Sequence, residues 1–169
     1  MALIRSVRGF SPKFGNNCFL AENATIVGEV LMGDNCTVWF NAVVRGDVHS
    51  ITIGNNTNIQ DGAVIHCTYQ KARTVIGSNV SIAHNAVVHG CTVHDDVLIG
   101  MGAIVMDGAV IESNSVIAAG AVVLPGTLVA AGSIYAGMPA KRIKGIGDEM
   151  KSVIKRTAEN YLMYAEWYK

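Results

Sequence analysis

Apolar residues recur at every sixth position through most of the chain, and this spacing is the dominant pattern of the sequence. Nineteen positions follow it, all aliphatic, Met or Phe, although only 50% of the chain is hydrophobic. They are Phe14, Leu20, Ile26, Met32, Val38, Val44, Ile53, Ile59, Ile65, Ile76, Ile82, Val88, Val93, Ile99, Val105, Ile111, Ile117, Val123 and Val129. Small residues such as Ala24, Cys36 and Thr92 come four positions later. Gly, Asn and Asp between them are typical of turns.

A period of six fits neither an α-helix nor an ordinary hairpin. It predicts strands of two or three residues separated by turns, with the large apolar side chain inward and the small residue at the bend. Three hexads then form a triangular coil of about 18 residues, and coils stack at about 4.8 Å. The repeat resembles the hexapeptide-repeat family, which implies an all-β solenoid, the left-handed parallel β-helix. The handedness comes from that resemblance alone, since general rules for parallel crossovers favour the right hand.

The repeat is interrupted at three places, and insertions in a solenoid become loops, often on the working face. Three extra residues lie near positions 49–52, five near 69–73, and one is missing between Val88 and Val93. From Asp148 to about Trp167 the apolar spacing changes to three and four, which predicts an amphipathic helix with Asp148 near its N-cap. We expect one domain, residues 1–169, with the β-helix over about 10–140 and the C-terminal helix over about 148–167.

The composition argues against several classes of partner. Lys plus Arg equals Asp plus Glu at 13 each, so no net charge draws the protein to nucleic acid or to an anionic membrane, and neither partner is expected. The N-terminus lacks the apolar core of a signal peptide and no run is long enough to span a bilayer, which makes a cytoplasmic location the default. The four cysteines form no Cys-x-x-Cys pair and are expected to be reduced core residues.

Three histidines occupy positions from which the repeat can bring them to one metal ion. His66 and His89 each follow an inward apolar residue, on adjacent coils. They should stack on one face about 4.8 Å apart, which suits two imidazoles that share a tetrahedral zinc ion. His84 falls on a different face or corner, so it is expected to complete the site from a neighbouring chain of a homotrimer. The alternative is that outward histidines are solvated surface residues, which is the expectation for His49 and His94.

Several stretches resemble the γ-class carbonic anhydrases, and the resemblance covers nearly the whole chain. They are Arg45-Gly46-Asp47, Asn58-Ile59-Gln60-Asp61-Gly62, His66, residues 82–90 and Gly137-Met138-Pro139-Ala140. The resemblance implies a homotrimer with one metal per subunit interface, usually zinc and sometimes iron or cobalt. It implies that His66 and His89 are ligands from one chain and that His84 is the ligand from the next.

The resemblance also implies roles for five other residues. Gln60 and Asn58 would position the metal-bound solvent or substrate. The alternative for both is a purely structural role in a turn of the repeat. Arg45, Asp47 and Asp61 would make charged contacts at the subunit interface beside the site. Arg45 and Asp47 are equally compatible with a structural ion pair, which we favour over an indirect catalytic role.

Zinc held by neutral imidazoles lowers the pKa of bound water to about 7, so hydroxide is available at neutral pH to attack carbon dioxide. The expected function is therefore reversible hydration of carbon dioxide to bicarbonate, the reaction of a carbonate dehydratase, a lyase. The best-known members of the class carry acidic residues that remove the proton. Here Val48 follows Asp47, and the loop at 69–73 has no carboxylate. Tyr161 or Tyr164 on the C-terminal helix could border the site, although helix packing explains either tyrosine without a function.

Three other functions remain open. Many hexapeptide-repeat proteins are acyltransferases that use a single histidine as base. A metal-dependent thioesterase or other hydrolase could use the same hydroxide on a thioester. A trimeric scaffold with a structural metal would need a fourth ligand, for which Cys67 is the nearest candidate. Three imidazoles accept zinc, iron or cobalt, so the ligand set leaves the metal open.

Overall fold

Each hexad forms a short strand that ends in a turn, and the computed structural model describes residues 1–168 as a left-handed parallel β-helix with one C-terminal α-helix. The predicted fold class is thus confirmed. The elements are β1 (Leu3–Arg5), β2 (Lys13–Phe14), β3 (Phe19–Leu20), β4 (Thr25–Met32), β5 (Thr37–Val38), β6 (Val43–Ile53), β7 (Asn58–Ile59), β8 (Val64–His66), β9 (Thr74–Ile76), β10 (Ser81–Ile82), β11 (Val87–His89), β12 (Thr92–Val93), β13 (Leu98–Ile99), β14 (Ile104–Val105), β15 (Val110–Ile111), β16 (Val116–Ile117), β17 (Val122–Val123), β18 (Leu128–Val129), β19 (Ser133–Ala136), β20 (Lys141–Gly145) and α1 (Asp148–Glu166).

The strands build the three faces of a prism. The long strand β6 pairs with β8 through its first residues and with β9 through its last, so one sheet continues around a corner. One of its faces runs on through β11, β14 and β17, and the other through β12, β15 and β18. The third face is a separate sheet that runs from β3 through β5, β7, β10, β13, β16 and β19 to β20. The strands of residues 1–168 pair in parallel, apart from β19 and β20, which pair antiparallel at the C-terminal end of the third face.

The core is a stack of the inward aliphatic residues. Ile59 pairs with Ile82 on one face and Ile65 with Val88 on another, and all four are fully buried. Burial of each such side chain contributes about 1.5–3 kcal/mol, so the continuous column stabilises every coil against its neighbours.

The assignment of Thr92 to the small inward series is wrong. Cys91 occupies that inward position and is 2% exposed, whereas Thr92 is partly exposed as the first residue of β12. The reason is the shortened step after β11, which moves the bend one residue towards the N-terminus.

Helix α1 covers the third face, where it packs against β5 and β10. Its buried side chains are Ile154, Ala158 and Ala165. The N-cap is Gly147 without a side-chain cap, so Asp148 is the first helical residue, where its charge favours the positive end of the helix dipole. No helix within the described residues is both long and apolar enough to cross a membrane.

Candidate metal centre

Two of the three predicted ligand histidines lie side by side. The parallel register of β8 and β11 pairs His66 with His89, and both point outward because the residues before them are in the core. Nδ1 of His66 lies 3.0 Å from Nε2 of His89, with the ring centroids 5.0 Å apart. We call the outward surface of β8, β11 and β14, together with Arg45 and Asp47, the histidine face.

An aspartate occupies the remaining nitrogen of each ring. Nε2 of His66 is 3.1 Å from Oδ1 of Asp47, and Nδ1 of His89 is 2.6 Å from Oδ1 of Asp107. A carboxylate on one nitrogen fixes the tautomer and leaves the lone pair of the other nitrogen available, which is typical of metal-binding histidines. The two available nitrogens face each other.

Asp47 is held by Arg45 from the same strand. Nη1 of Arg45 lies 2.6 Å from Oδ2 of Asp47, so the predicted ion pair is present within one chain, while its place at a subunit interface stays a prediction. Partial burial opposes ionisation, but hydrogen bonds from Arg45 and His66 outweigh it and lower the pKa of Asp47 below its usual value. The glycine between them is required, because a Cβ at Gly46 would overlap the carbonyl oxygen of Glu29 on β4.

The surroundings of His66 favour its neutral form. Burial lowers the pKa of His66, the hydrogen bond to Asp47 opposes that shift, and the positive charge of Arg45 adds to it, with a net lowering. Metal ions bind neutral imidazole, so a lowered pKa reduces the competition from protons near neutral pH.

Asp107 and Thr68 belong to the site, although the sequence analysis did not identify them. The Thr68 hydroxyl donates a hydrogen bond to Oδ2 of Asp107. Burial opposes ionisation of Asp107, but the bonds from Thr68 and His89 outweigh it and lower the pKa of this carboxyl. The spacing held a signal for Asp107, since it lies 18 residues after His89, which is one coil. Thr68 lies at the loop of the second insertion, and the repeat carries no signal for it.

His84 lies apart from the other two, where the turns after β7 and β10 meet α1. Nδ1 of His84 is 2.9 Å from Oδ2 of Asp61, and Nε2 is 3.3 Å from the hydroxyl of Tyr161. We call Asp61, His84 and Tyr161 the helix corner. Burial, and then the charge of Asp61, raise the pKa of Tyr161 to about 12, so the hydroxyl is neutral at pH 7. Tyr164 packs on Tyr161, with ring centroids 5.5 Å apart.

Gln60 and Asn58 lie beneath the helix, beside the helix corner and not on the histidine face. Both are buried, at 3% and 1% exposed. The Gln60 amide donates to Oδ1 of Asn58 over 2.9 Å, and Asn58 donates to the hydroxyl of Ser81 over 2.8 Å. This chain of bonds fixes the orientation of the Gln60 amide. The structure therefore divides the predicted site residues of one chain into two groups.

The histidine face fits two ligands of a tetrahedral metal ion. Two imidazole nitrogens at 2.0–2.1 Å from zinc lie about 3.3 Å apart, so the pair needs to open by only about 0.3 Å. A third ligand has to come from elsewhere, because residues 1–168 of one chain contain no cluster of three or more His, Cys, Asp or Glu arranged for a metal. Cys67, the candidate for a fourth ligand, has a buried thiol that donates to the carbonyl oxygen of His49 over 3.1 Å. These contacts give no support to a structural site closed by Cys67.

Comparisons with known proteins bear on this site. The family model "Bacterial transferase hexapeptide (six repeats)" matches residues 11–46 and 90–125. "Probable carbonic anhydrase" of Methanocaldococcus jannaschii is 50% identical over 150 residues, which cover 89% of this chain and 94% of that protein. "Gamma carbonic anhydrase 2, mitochondrial" of Arabidopsis thaliana is 38% identical over 92% of this chain, which spans only 58% of that protein's length.

A solved structure is similar to this chain over nearly its whole length. The crystal structure of a hexapeptide transferase family protein from Anaplasma phagocytophilum has a TM-score of 0.94 and 39% identity to this chain. The match covers 99% of this chain and 98% of the other, including the C-terminal helix.

Proposed function

The chain belongs to the γ-carbonic anhydrase-like hexapeptide-repeat family, and from this premise we propose that it is a metal-dependent carbonic anhydrase, a lyase that reversibly hydrates carbon dioxide. The metal would be zinc, with iron or cobalt as alternatives. The active sites would lie between the subunits of a homotrimer. The observation that carries this proposal is the His66–His89 pair, whose two available nitrogens face each other at 3.0 Å.

The proposed third ligand is His84 of a neighbouring copy. Within one chain the helix corner is separate from the histidine face, so a ring of three copies brings the two together at each interface. Asp61 holds Nδ1 of His84 as Asp107 holds Nδ1 of His89, so all three imidazoles carry an aspartate on one nitrogen. This shared arrangement supports assigning the three histidines to one site.

An ion held by three neutral imidazoles, with a fourth position open, would supply the Lewis acidity that makes water nucleophilic near neutral pH. The residues of the chain orient the reactants. Asp47, Asp61 and Asp107 hold the imidazoles in the tautomers that bind, and Arg45 keeps Asp47 ionised. Gln60, fixed by Asn58, presents its amide as a hydrogen-bonding group beside the helix corner. Tyr161, as a neutral hydroxyl, is a further hydrogen-bonding group there.

An apolar groove beside His89 suits an uncharged substrate. Its volume is about 440 Å³. Its lining consists of Lys71, Val87, His89, Ile104, Met106, Asp107 and Pro125. The aliphatic side chains form most of the wall, which favours carbon dioxide over water, while Lys71 offers a positive charge at the edge for bicarbonate.

The test combines metal analysis with stopped-flow hydration of carbon dioxide. Protein is loaded with zinc, or anaerobically with iron, and metal content is measured in the same samples. We expect one metal per chain and metal-dependent hydration, both lost in His89→Ala and both retained in His94→Ala. His94 is a matched control, since it lies beside Glu112 on a different face. Absence of hydration in fully loaded protein would contradict the proposal.

Acyl transfer is the second candidate function, because the helix corner alone holds a histidine that could serve as a general base. His84 pairs with Asp61 and is apart from the other histidines, as a single catalytic histidine would be. Metal-free protein incubated with acyl-coenzyme A and amine acceptors tests this candidate. Thiol release that survives His66→Ala but not His84→Ala would favour acyl transfer. Release that needs both histidines and metal would indicate a thioesterase.

A further inference from the structure

Cys18 and Cys36 form a pair of thiols on adjacent coils, at the N-terminal end of the third face. β3 and β5 are parallel neighbours whose register pairs Phe19 with Thr37, so the cysteines directly before those residues are also opposite each other. Cα atoms on neighbouring strands are about 4.8 Å apart, which lies within the range of about 4.4–6.8 Å that disulfides span.

The two members of the pair differ in access to solvent. Cys36 is fully buried, whereas Cys18 is partly exposed on the first coil. Their thiols face the main-chain carbonyl oxygens of Gly54 and Gly33 at 2.9 and 3.2 Å. Cys18 is therefore the more accessible member of the pair, and the buried Cys36 is suited to the role of a resolving thiol.

The contact between the two thiols favours the thiolate of the more exposed member. The neighbouring Cys36 thiol lowers the pKa of Cys18, against partial burial and the charge of Asp34, which raise it. The same contact, together with burial, raises the pKa of Cys36. The thiolate is the nucleophilic form of cysteine, so Cys18 is the attacking thiol.

The other two cysteines provide an internal contrast. Cys67 and Cys91 are both buried, at 1% and 2% exposed. Burial raises the pKa of both thiols, that of Cys91 to about 12. Neither is accessible or activated, so one chain holds both a reactive pair and an inert pair.

We propose that Cys18 and Cys36 are a peroxide-reactive dithiol that closes to a disulfide between the first two coils. The Cys18 thiolate attacks a hydroperoxide, which breaks the O–O bond, gives a sulfenic acid on Cys18 and releases hydroxide or alkoxide. The Cys36 thiol then attacks the sulfenic sulfur, forms the S–S bond and releases water. The peroxide is reduced by two electrons and the dithiol is oxidised by two.

The test is non-reducing peptide mapping after treatment of the folded protein with hydrogen peroxide. We expect a Cys18–Cys36 disulfide, with a peptide mass about 2 Da below the sum of the reduced peptides, while Cys67 and Cys91 remain free thiols after unfolding. In untreated protein Cys18 should be alkylated at least about tenfold faster than Cys67 or Cys91. Peptide mapping separates these events from oxidation of exposed methionines such as Met101 and Met138.

Two variants assign the roles. Cys36→Ser should stop at the sulfenic acid, which a dione reagent traps on Cys18, and Cys18→Ser should leave Cys36 unreacted. Serine is tolerated at this place in the coil, since Ser115 and Ser133 occupy it later in the repeat, buried and bonded to carbonyl oxygens. No disulfide in the wild type, a disulfide between two chains, or equal reactivity of Cys67 would overturn the proposal.

Discussion

The histidine face and the helix corner use the same local device but differ in what they lack. Both hold imidazoles that carry an aspartate on one ring nitrogen. The histidine face has two converging nitrogens and no third donor, whereas the helix corner has one imidazole whose other nitrogen meets the Tyr161 hydroxyl at 3.3 Å. Neither region is a metal site alone, although each has the arrangement of part of one.

Removal of a histidine tests whether both regions serve one ion, and it carries the largest expected effect. In structural zinc sites, binding free energies of about 10–16 kcal/mol shared among four protein ligands make each ligand worth roughly 3 kcal/mol, or about a hundredfold in metal affinity. We expect this loss in His89→Ala on the histidine face and equally in His84→Ala at the helix corner. Metal affinity is measured by competition with a chelating dye.

His94→Ala should bind metal as the wild type does. If His84→Ala also kept wild-type metal affinity, the helix corner would have no part in the metal site.

Replacement of the aspartates should have the next largest effect on metal affinity. Asp107→Asn and Asp61→Asn leave the histidines in place but weaken the carboxylate that fixes each tautomer, so we expect metal affinity to fall about 10–100-fold in both. Glu112→Gln, on another face, is the matched control. A loss in Asp107→Asn alone would mean that only the histidine face is organised for metal.

A methyl group at Gly46 should disturb the histidine face and leave the helix corner unchanged. The added Cβ would overlap the Glu29 carbonyl and push β6 outward, with an expected cost of about 1–3 kcal/mol in the free energy of unfolding and displacement of Asp47 from His66. Gly147→Ala is the control, because its Cβ would meet open space. Chemical denaturation measures the stabilities, and equal values for the two variants would contradict the close approach at Gly46.

The pH dependence of the stability of the metal-free protein gives the smallest effect, and it concerns the histidine face. The folded-state pKa of His66 is below its unfolded value, so its contribution to stability is complete above about pH 6.5 and is lost as the pH falls through the folded value. Asp47 and Asp107 also have lowered pKa values, so their contributions are present above about pH 4 and are lost below it.

The thermal stability of the metal-free protein should therefore fall in two stages as the pH is lowered. The variant His66→Gln should lack the first stage. A first stage that persists in His66→Gln would assign it to another group.

The strands of the β-helix and the His66–His89 pair can be predicted from the sequence, because both follow from the number of residues in one coil. The six-residue period places the strands, and one coil plus the five-residue insertion places His89 beside His66. Asp107 lies one coil beyond His89, but which turn residue points back at a histidine depends on side-chain geometry that the period does not encode. Burial of Asn58 and Gln60 depends on where α1 docks, which is a long-range contact. The sequence analysis assigns Thr92 to the inward position of Cys91 because the sequence does not show at which position of the short turn the one residue is missing.

Subunit mixing tests the central claim, that each site takes His66 and His89 from one copy and His84 from the next. Chains of His66→Ala and His84→Ala, each inactive alone, are mixed one to one, unfolded and refolded together. Every mixed trimer would have one intact site of three, so random assembly predicts roughly a quarter of the wild-type metal content and activity. A mixture of His66→Ala with His89→Ala should recover neither metal binding nor activity, since both residues belong to the histidine face of the same copy. No recovery in the first mixture, despite mixed trimers by native mass spectrometry, would contradict the account.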